Sequence, residues 1–406
     1  MAASETEQPS KPEQSPPAKK SGWEAVLTAT PVVLTVVATI LAGLSTSEMT
    51  LGQYHRSLAA QNQSKASDQW GFFQAKRLRG TAMENAFDLL PPKARPNKIE
   101  ASDLEDASRQ FTSTVQGGMK ELTIGGSAKA KTKRIDDDLQ DVKKLMMPQV
   151  PDLDALDMLD QQLQNKLARA EIRDAFEYLT TNSLPEVEDD KFENADINSA
   201  SQAITNRAEE KELDSILRRI QPGDLQRAID TAEKNAMRFE EAGKPVGKSL
   251  DEVGDIINRQ VSVAAKFHRA VRLMRDIVGK KSSSEYQSAI KALDQSDAAV
   301  QTAAEELDHL FKAGRFSYTA RRQRRESDYH LKTAGLYEVQ VRLNSYTSDR
   351  HRTRSKLFFF GMLAAQAGVT IASLSLAVHK RNILWALAGL AGLAAVTFSG
   401  YVYLYM

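Results

Sequence analysis

Three long runs of apolar residues without a charged side chain constrain this chain most: Ala25–Leu44, Leu357–Val378 and Ile383–Leu404. A helix needs about 20 mostly apolar residues to cross the hydrocarbon core of a bilayer. The alternative, a set of buried helices in a soluble core, is disfavoured because the mean hydropathy of the chain is −0.43. Three such runs are unusual in so polar a chain. The sequence therefore predicts three transmembrane helices, the last two forming a hairpin around residues 379–382.

The polar tail 1–24 makes the first run an uncleaved anchor rather than a signal peptide. Prolines among Ser, Gln, Glu and Lys predict that this tail is disordered. Three spans place the tail and the 379–382 turn on one side of the membrane, and the segment 45–356 on the other. The positive-inside rule favours a cytoplasmic N-terminus, because the short segments carry all their Lys and Arg on that side. The Lys and Arg residues near the two ends of 45–356 favour the opposite orientation.

Small residues recur at helical spacing inside the spans, and such stripes allow close packing of helices in lipid. Gln366 is the single side-chain amide in the three spans, and we expect it to hydrogen-bond a neighbouring helix. No Asp, Glu, Lys, Arg or His lies inside a span, which disfavours an active transporter. The stripe residues are Gly361, Ala365, Gly368 and Ala372, repeated by Ala388 and Gly392.

The residue pattern of segment 45–356 predicts a series of helices. No convincing alternation of apolar and polar residues indicates a β-strand there. Two apolar stripes at three- to five-residue steps run over 153–179 and 250–271. Capping boxes are predicted at Ser249 with Glu252 and at Ser282 with Glu285, and a helix end at Gly314. Proline and glycine clusters predict breaks into helices of roughly 15–40 residues, which favours a helical bundle or segmented coiled coil. These breaks are at 91–96, 117–126, 148–151, 185, 222–223 and 243–247.

The helices next to the membrane have matched lengths, and we expect them to pair antiparallel as a stalk. Counting outward from the spans places Phe73 and Asp328 at similar heights. The predicted organisation is thus a tail, a first span, a stalk helix over 45–92, a helical-bundle insertion over 93–315, a second stalk helix over 316–356, and the two last spans.

Composition excludes several kinds of chemistry. The chain has no cysteine, 54 Lys and Arg, and 53 Asp and Glu. No thiolate metal site or thiol catalysis is therefore available, and no basic excess indicates nucleic-acid binding.

The acidic runs Asp136–Asp138 and 186–190 lack the spacing of an EF-hand loop, and we expect solvated helix starts there. The six histidines are scattered, and no phosphate-binding or nucleophile motif is present. We expect no enzyme activity and no cofactor.

Two basic groups differ in their position. Arg325, the nearest to the membrane of the arginines at 315–325, lies about 48 Å along a helix from Leu357, so a solvated face or a partner contact is favoured for this group. The second group lies at the predicted membrane interface and is expected to contact anionic lipid headgroups. It comprises Arg350, Arg352, Arg354 and Lys356.

The segment Ser64–Lys76, S-K-A-S-D-Q-W-G-F-F-Q-A-K, resembles the signature of an uncharacterised bacterial family. Members of that family have one N-terminal span, an S-D-Q-W-x-x-[FY]-Q-A-K helix and a C-terminal transmembrane hairpin. The resemblance covers the first span, about 45–90, and 330–406. It implies a bacterial inner-membrane protein of unknown role and supplies no catalytic residue.

Helical spacing places Trp70, Phe73 and Arg77 on one face of this helix, flanked by Gln69 and Lys76. This face could pack within the stalk or form a site for a protein partner, and the sequence leaves both interpretations open.

Three functions follow from the whole sequence. The first is a membrane-anchored helical scaffold, as a homo-oligomer or with a protein partner. The alternatives are a sensor or regulator that couples the helical segment to the membrane hairpin, and a channel subunit.

Overall fold

The computed structural model describes residues 22–92, 96, 98–125, 152–278, 284–378 and 381–405. Most of the predicted tail and the acidic run Asp136–Asp138 lie outside these residues. Within them the chain is helical and has no strand, which confirms the all-α prediction. The helices are α1 (Gly22–Asp88), α2 (Ala101–Gly125), α3 (Leu153–Leu167), α4 (Ala170–Thr180), α5 (Ala195–Thr205), α6 (Glu210–Leu217), α7 (Pro222–Val278), α8 (Ser284–Ser375) and α9 (Arg381–Tyr405).

The chain divides into two compact units. The membrane unit comprises 1–63, 208–218 and 339–406, and the helical unit comprises 64–207 and 219–338. Helices α1 and α8 are long enough to contribute to both.

In the membrane unit, three helices are long and apolar enough to cross a bilayer, as predicted. They are the first part of α1, the last part of α8, and α9. Large apolar side chains cover their outer surfaces, for example Val32, Phe360 and Leu390, which are 64%, 61% and 63% exposed. Exposed side chains of this kind suit a hydrocarbon environment better than water.

The small-residue stripes pack the three spans together, as the sequence predicted. A Cβ atom on Gly361 would lie 2.5 Å from the Ser399 hydroxyl of α9, and one on Gly392 would lie 2.4 Å from Leu34 of α1. Ala365, Ala372 and Ala388 are fully buried. Lipid provides no hydrophobic driving force for helix association. The small residues let the helix backbones approach closely, so van der Waals contacts stabilise the packing instead.

Among the described residues, no neighbouring helix supplies the hydrogen bond expected for Gln366. The residue is exposed on the outer surface of α8, and its side-chain amide meets no hydrogen-bonding partner among the described residues. Its backbone carbonyl accepts a bond from the Thr370 hydroxyl. The stripe turns Gly361 and Gly368 towards α1 and α9, and this orientation leaves Gln366 pointing away from both.

Helices α1 and α8 pair antiparallel within each unit. In the membrane unit, the Ser348 hydroxyl donates to the Gly52 carbonyl at 2.7 Å, and Ser45 and Ser355 exchange hydroxyl-to-carbonyl bonds of 3.0 and 2.8 Å. In the helical unit, Gly80 packs on the backbone of α8, where its Cβ would lie 3.4 Å from the Ala320 carbonyl oxygen.

The core of the helical unit is formed by the two predicted apolar stripes, together with α2 and the first part of α8. The 153–179 stripe lies on α3 and α4, and the 250–271 stripe lies on α7. Most of their members are buried: Leu156, Leu163, Leu167, Ile172, Phe176, Leu179, Leu250, Val253, Ile257, Ala264, Phe267 and Val271.

Several predicted helix ends are wrong. Helix α2 continues through Gly117 and Gly118, α7 continues through 243–247, and α8 continues through Gly314 and the predicted boundary at 315/316. The glycines mark close contacts instead of breaks. A Cβ on Gly118 would lie 2.7 Å from Phe267, and one on Gly314 would lie 2.7 Å from Ile99.

Helices α1, α7 and α8 are therefore longer than predicted, with 67, 57 and 92 residues. Ser249 lies inside α7, so the capping box assigned to it is wrong, and Ser282 lies outside the described residues. The predicted break at Pro185 is confirmed by the irregular segment between α4 and α5, and α7 begins at Pro222.

Candidate functional site

The signature segment Ser64–Lys76 lies on α1 in the helical unit, and three of its polar side chains, Gln69, Trp70 and Lys76, bind α8. The Nδ1 of His330 donates to Gln69 Oε1 at 2.8 Å. The indole Nε1 of Trp70 donates to Glu338 Oε1 at 2.7 Å. Both side chains of the signature are half-buried, so each bond holds a polar group that is partly withdrawn from water.

Lys76 completes the signature with an ion pair. Its Nζ donates to Glu326 Oε2 at 2.5 Å, and the other carboxylate oxygen of Glu326 accepts from Arg322 Nε at 2.7 Å. Glu326 is 4% exposed. Arg322 also donates to the Gly243 carbonyl of α7 at 3.4 Å. One buried carboxylate thus links three helices through two cations, and removing it would leave both cations without their partner.

The predicted face of Trp70, Phe73 and Arg77 is only partly present. Phe73 is half-buried and packs edge-on against Trp70 with 5.5 Å between ring centroids. Arg77 is exposed and lies over the Phe73 ring at 5.7 Å. Gln69, Trp70 and Lys76 bind α8, whereas Phe73 and Arg77 contact their own helix.

A cavity of about 240 Å³ opens beside the signature helix, within the helical unit. Signature residues Gln69 and Lys76 line it from α1, and α7 and α8 supply the remaining walls. The lining from those helices is acidic, aromatic and apolar: Glu233, Ala236, Met237, Glu240, Glu326, Tyr329, His330 and Thr333.

Burial shifts the pKa of His330, which lines this cavity, and that of Tyr337, which binds the cavity residue Glu233. Burial lowers the pKa of His330, the charge of Lys76 lowers it further, and Glu326 and Glu240 oppose the shift. Burial and a hydrogen bond to Glu233 raise the pKa of the Tyr337 hydroxyl. His330 is therefore held as a neutral imidazole, and Tyr337 as a neutral phenol, at physiological pH.

The partners on α8 were missed by sequence reasoning. Glu326, His330 and Glu338 lie 250 or more residues from the signature, and no motif connects them to it. The expected pairing of Phe73 with Asp328 was the one sequence feature that could have located these partners. The contacts of Gln69 with His330 and of Lys76 with Glu326 agree with that register.

The chemistry of this site is hydrogen bonding and ion pairing. Among the described residues, no group of three His, Asp or Glu side chains is placed to hold a metal ion. Glu186, Glu188, Asp189 and Asp190 precede α5, and Asp190 binds Lys234 of α7 at 2.9 Å. Contacts with Lys234 and Arg238 lower the pKa of Asp190.

The predicted lipid-contact residues fall into two sets in the membrane unit. Arg352 and Lys356 are exposed. Arg350, which is also exposed, and the half-buried Arg354 line a cavity of about 620 Å³ together with Arg218 and Arg342.

Arg354 is also engaged by α1. Its Nη1 lies 3.9 Å from Glu48, and the same carboxylate accepts from His351 Nδ1 at 2.6 Å. The His351 ring stacks on His55 with 5.5 Å between centroids. Arg352 and Lys356 are therefore the better placed for lipid headgroups, since Arg350 lines the cavity and Arg354 is held by protein.

Residues 23–151 match the family model of a domain of unknown function (DUF4337). The match covers the first span and the signature segment, and it confirms the predicted relation to a family of unknown function. It also extends past position 92, into the region that the sequence attributed to an insertion. No curated protein and no solved structure matches the chain.

Proposed function

We propose that the chain is a multi-pass scaffold of the bacterial inner membrane, which holds a helical interaction unit beside the bilayer. Its N-terminal tail lies in the cytoplasm, and it acts without catalysis, cofactor or nucleic acid, as a homo-oligomer or with a protein partner. One observation carries the proposal. Gln69, Trp70 and Lys76 of the signature are bonded to α8, the helix that continues into the second span, and these bonds support a role in fastening helices together.

Substitution of Trp70 tests this role. Trp70→Phe keeps an aromatic ring but removes the donor to Glu338, so a fastening role predicts that thermal stability and the recovery of co-purified proteins fall together. Leu78→Ala is the matched control, because Leu78 lies on the same helix and is 72% exposed. Loss of co-purification without loss of stability would instead make Trp70 part of a partner site. Failure of in-cell cross-linking to attach any protein to the helical unit would overturn the scaffold proposal.

Arg352 and Lys356 support a contact with anionic lipid, because both are exposed within five residues of the second span. The double variant Arg352→Gln with Lys356→Gln should retain less phosphatidylglycerol in native mass spectrometry than the wild type. Exchange of two exposed cations of the helical unit, Lys120→Gln with Lys266→Gln, is the control. Equal retention by both variants would contradict the lipid contact.

The sensor alternative has one supporting observation. His330 and the Glu326 ion pairs lie where α1, α7 and α8 meet, and α1 and α8 are the helices that continue into spans. A change of protonation there would have a route along these helices. For the channel alternative, Gly361 and Gly368 would have to face a pore, yet both pack against neighbouring spans. Single-channel recording on the purified protein in planar bilayers tests that alternative directly.

A further inference from the structure

The outer surface of the second span carries a side-chain amide, that of Gln366, for which the described part of the chain supplies no hydrogen-bonding partner. Gln366 is exposed, and its amide has no hydrogen-bonding partner among the described residues. The other outward-facing polar groups nearby differ in this respect. The Thr370 and Ser373 hydroxyls donate to backbone carbonyls of their own helix at 3.1 and 2.9 Å.

The depth of Gln366 makes an unpartnered amide costly. The residue lies nine positions after Leu357, the start of a 22-residue run, or about 14 Å along the helix at 1.5 Å per residue. That position is near the middle of the hydrocarbon core. The side chain is too short to reach either interface, and no water is available there to pair with its N–H and C=O groups.

The surface around Gln366 suits a close contact with another helix. Phe359, Leu363, Gln366 and Thr370 follow one another at four-, three- and four-residue steps and are all exposed. Ala367 lies beside Gln366 and is also exposed. Small and medium side chains next to an amide allow a neighbouring helix to approach within hydrogen-bonding distance.

We propose that this surface is the contact between two copies of the chain, in which the two Gln366 amides bind each other. An amide carries both donors and an acceptor, so it is complementary to itself across a two-fold axis. A second copy therefore supplies the missing partner without any further residue type. This inference deepens the proposed membrane scaffold and rests on its anchoring by three spans.

Association of the full-length protein in lipid nanodiscs or liposomes tests the proposal, with subunits counted by single-molecule photobleaching. Gln366→Leu should weaken association roughly ten-fold, because interhelical polar bonds in membranes contribute at about that level. Gln366→Asn keeps an amide and should restore most of it. Thr397→Val is the control, since Thr397 is an exposed span residue whose hydroxyl is bonded to its own backbone.

Oxidative cross-linking gives a second readout, because the natural chain has no cysteine. A single Thr370→Cys substitution should yield disulfide-linked dimers, whereas Leu390→Cys, exposed on α9, should not. Equal association of wild type and Gln366→Leu, or a wild type that stays monomeric, would overturn the inference. A Gln366-dependent complex with a different protein would also overturn it. Extraction of the chain from membranes by carbonate would instead refute the anchoring itself.

Discussion

The guanidinium of Arg322 occupies the space that a side chain at position 243 would need. A Cβ built on Gly243 would lie 2.9 Å from Arg322 Nε and 3.1 Å from Cζ. The same Nε donates to Glu326, and Glu326 binds Lys76 of the signature helix. Gly243 therefore lets α7 approach an ion-pair cluster, although in the sequence it looks like a helix break.

Gly243→Ala should destabilise the helical unit despite the better helix propensity of alanine. Alanine favours a helix by about 1 kcal/mol over glycine, whereas overpacking against a fixed neighbour costs typically 1–3 kcal/mol. A net loss of roughly 1 kcal/mol is expected. Denaturant unfolding in detergent, followed by circular dichroism, measures it.

Gly223→Ala is the control for that measurement. Gly223 lies in the first turn of the same helix, and a Cβ there would meet nothing within 4 Å. This variant should match the wild type or exceed it slightly. Equal stability of the two variants would show that Arg322 moves away at little cost.

The sequence predicted features that depend on neighbouring residues and missed those that depend on distant ones. Apolar spacing placed the spans and the 153–179 and 250–271 stripes correctly, because burial of a helix face leaves its period in the sequence. The glycines at 243 and 314 were misread, because a glycine required by a close neighbour looks the same as one that ends a helix. The partner of such a glycine lies dozens of residues away.

The candidate site shows the same limit. Gln69, Trp70 and Lys76 were recognised from one short segment, yet their partners Glu338 and Glu326 were not. A salt bridge between helices has no periodic signature. Only the length match between the two membrane-adjacent helices carried information about register.

Acidification should destabilise the protein through His330. Its pKa is lowered in the folded state by burial and by Lys76, while Glu326 and Glu240 oppose this shift. As the pH falls below about 6.5, the unfolded chain binds a proton that the folded chain resists, so the free energy of unfolding decreases. The loss continues until the pH reaches the lower, folded-state pKa.

His330→Gln removes this titration while keeping a side chain that can bond Gln69. The difference in unfolding free energy between wild type and variant should therefore be constant above pH 7 and change as the pH falls below about 6.5. Because other groups titrate equally in both proteins, they cancel in the difference. Parallel stability curves over this range would refute the assignment to His330.

Engineered disulfides should report the pairing of α1 with α8 in each unit. A Cβ on Gly52 would lie 3.5 Å from the His351 Cβ, and one on Gly80 would lie 3.5 Å from the Gln323 Cβ. Both separations are close to the Cβ–Cβ distance in disulfides, about 3.5–4.5 Å. Gly52→Cys with His351→Cys, and Gly80→Cys with Gln323→Cys, should each form an intramolecular bond on mild oxidation, visible as a mobility shift on non-reducing gels.

The pair Gly71→Cys with Gln323→Cys is the negative control, since a Cβ on Gly71 would have nothing within 4 Å. This variant should remain reduced. A shift in the control, or its absence in either test pair, would contradict the register of that unit.

Two glycines on α9 offer a matched test of packing between the spans. A Cβ on Gly392 would lie 2.4 Å from Leu34 of α1, whereas one on Gly389, three residues earlier, would meet nothing within 4 Å. Gly392→Val should force α9 away from α1 and cost about 1–3 kcal/mol, seen as a lower thermal midpoint in detergent. Gly389→Val changes the same helix by the same atoms on its outer side and should leave the midpoint near that of the wild type. If both variants lost stability equally, the effect would come from the presence of valine in the helix and not from contact with Leu34. That result would contradict close packing of the spans through their small residues.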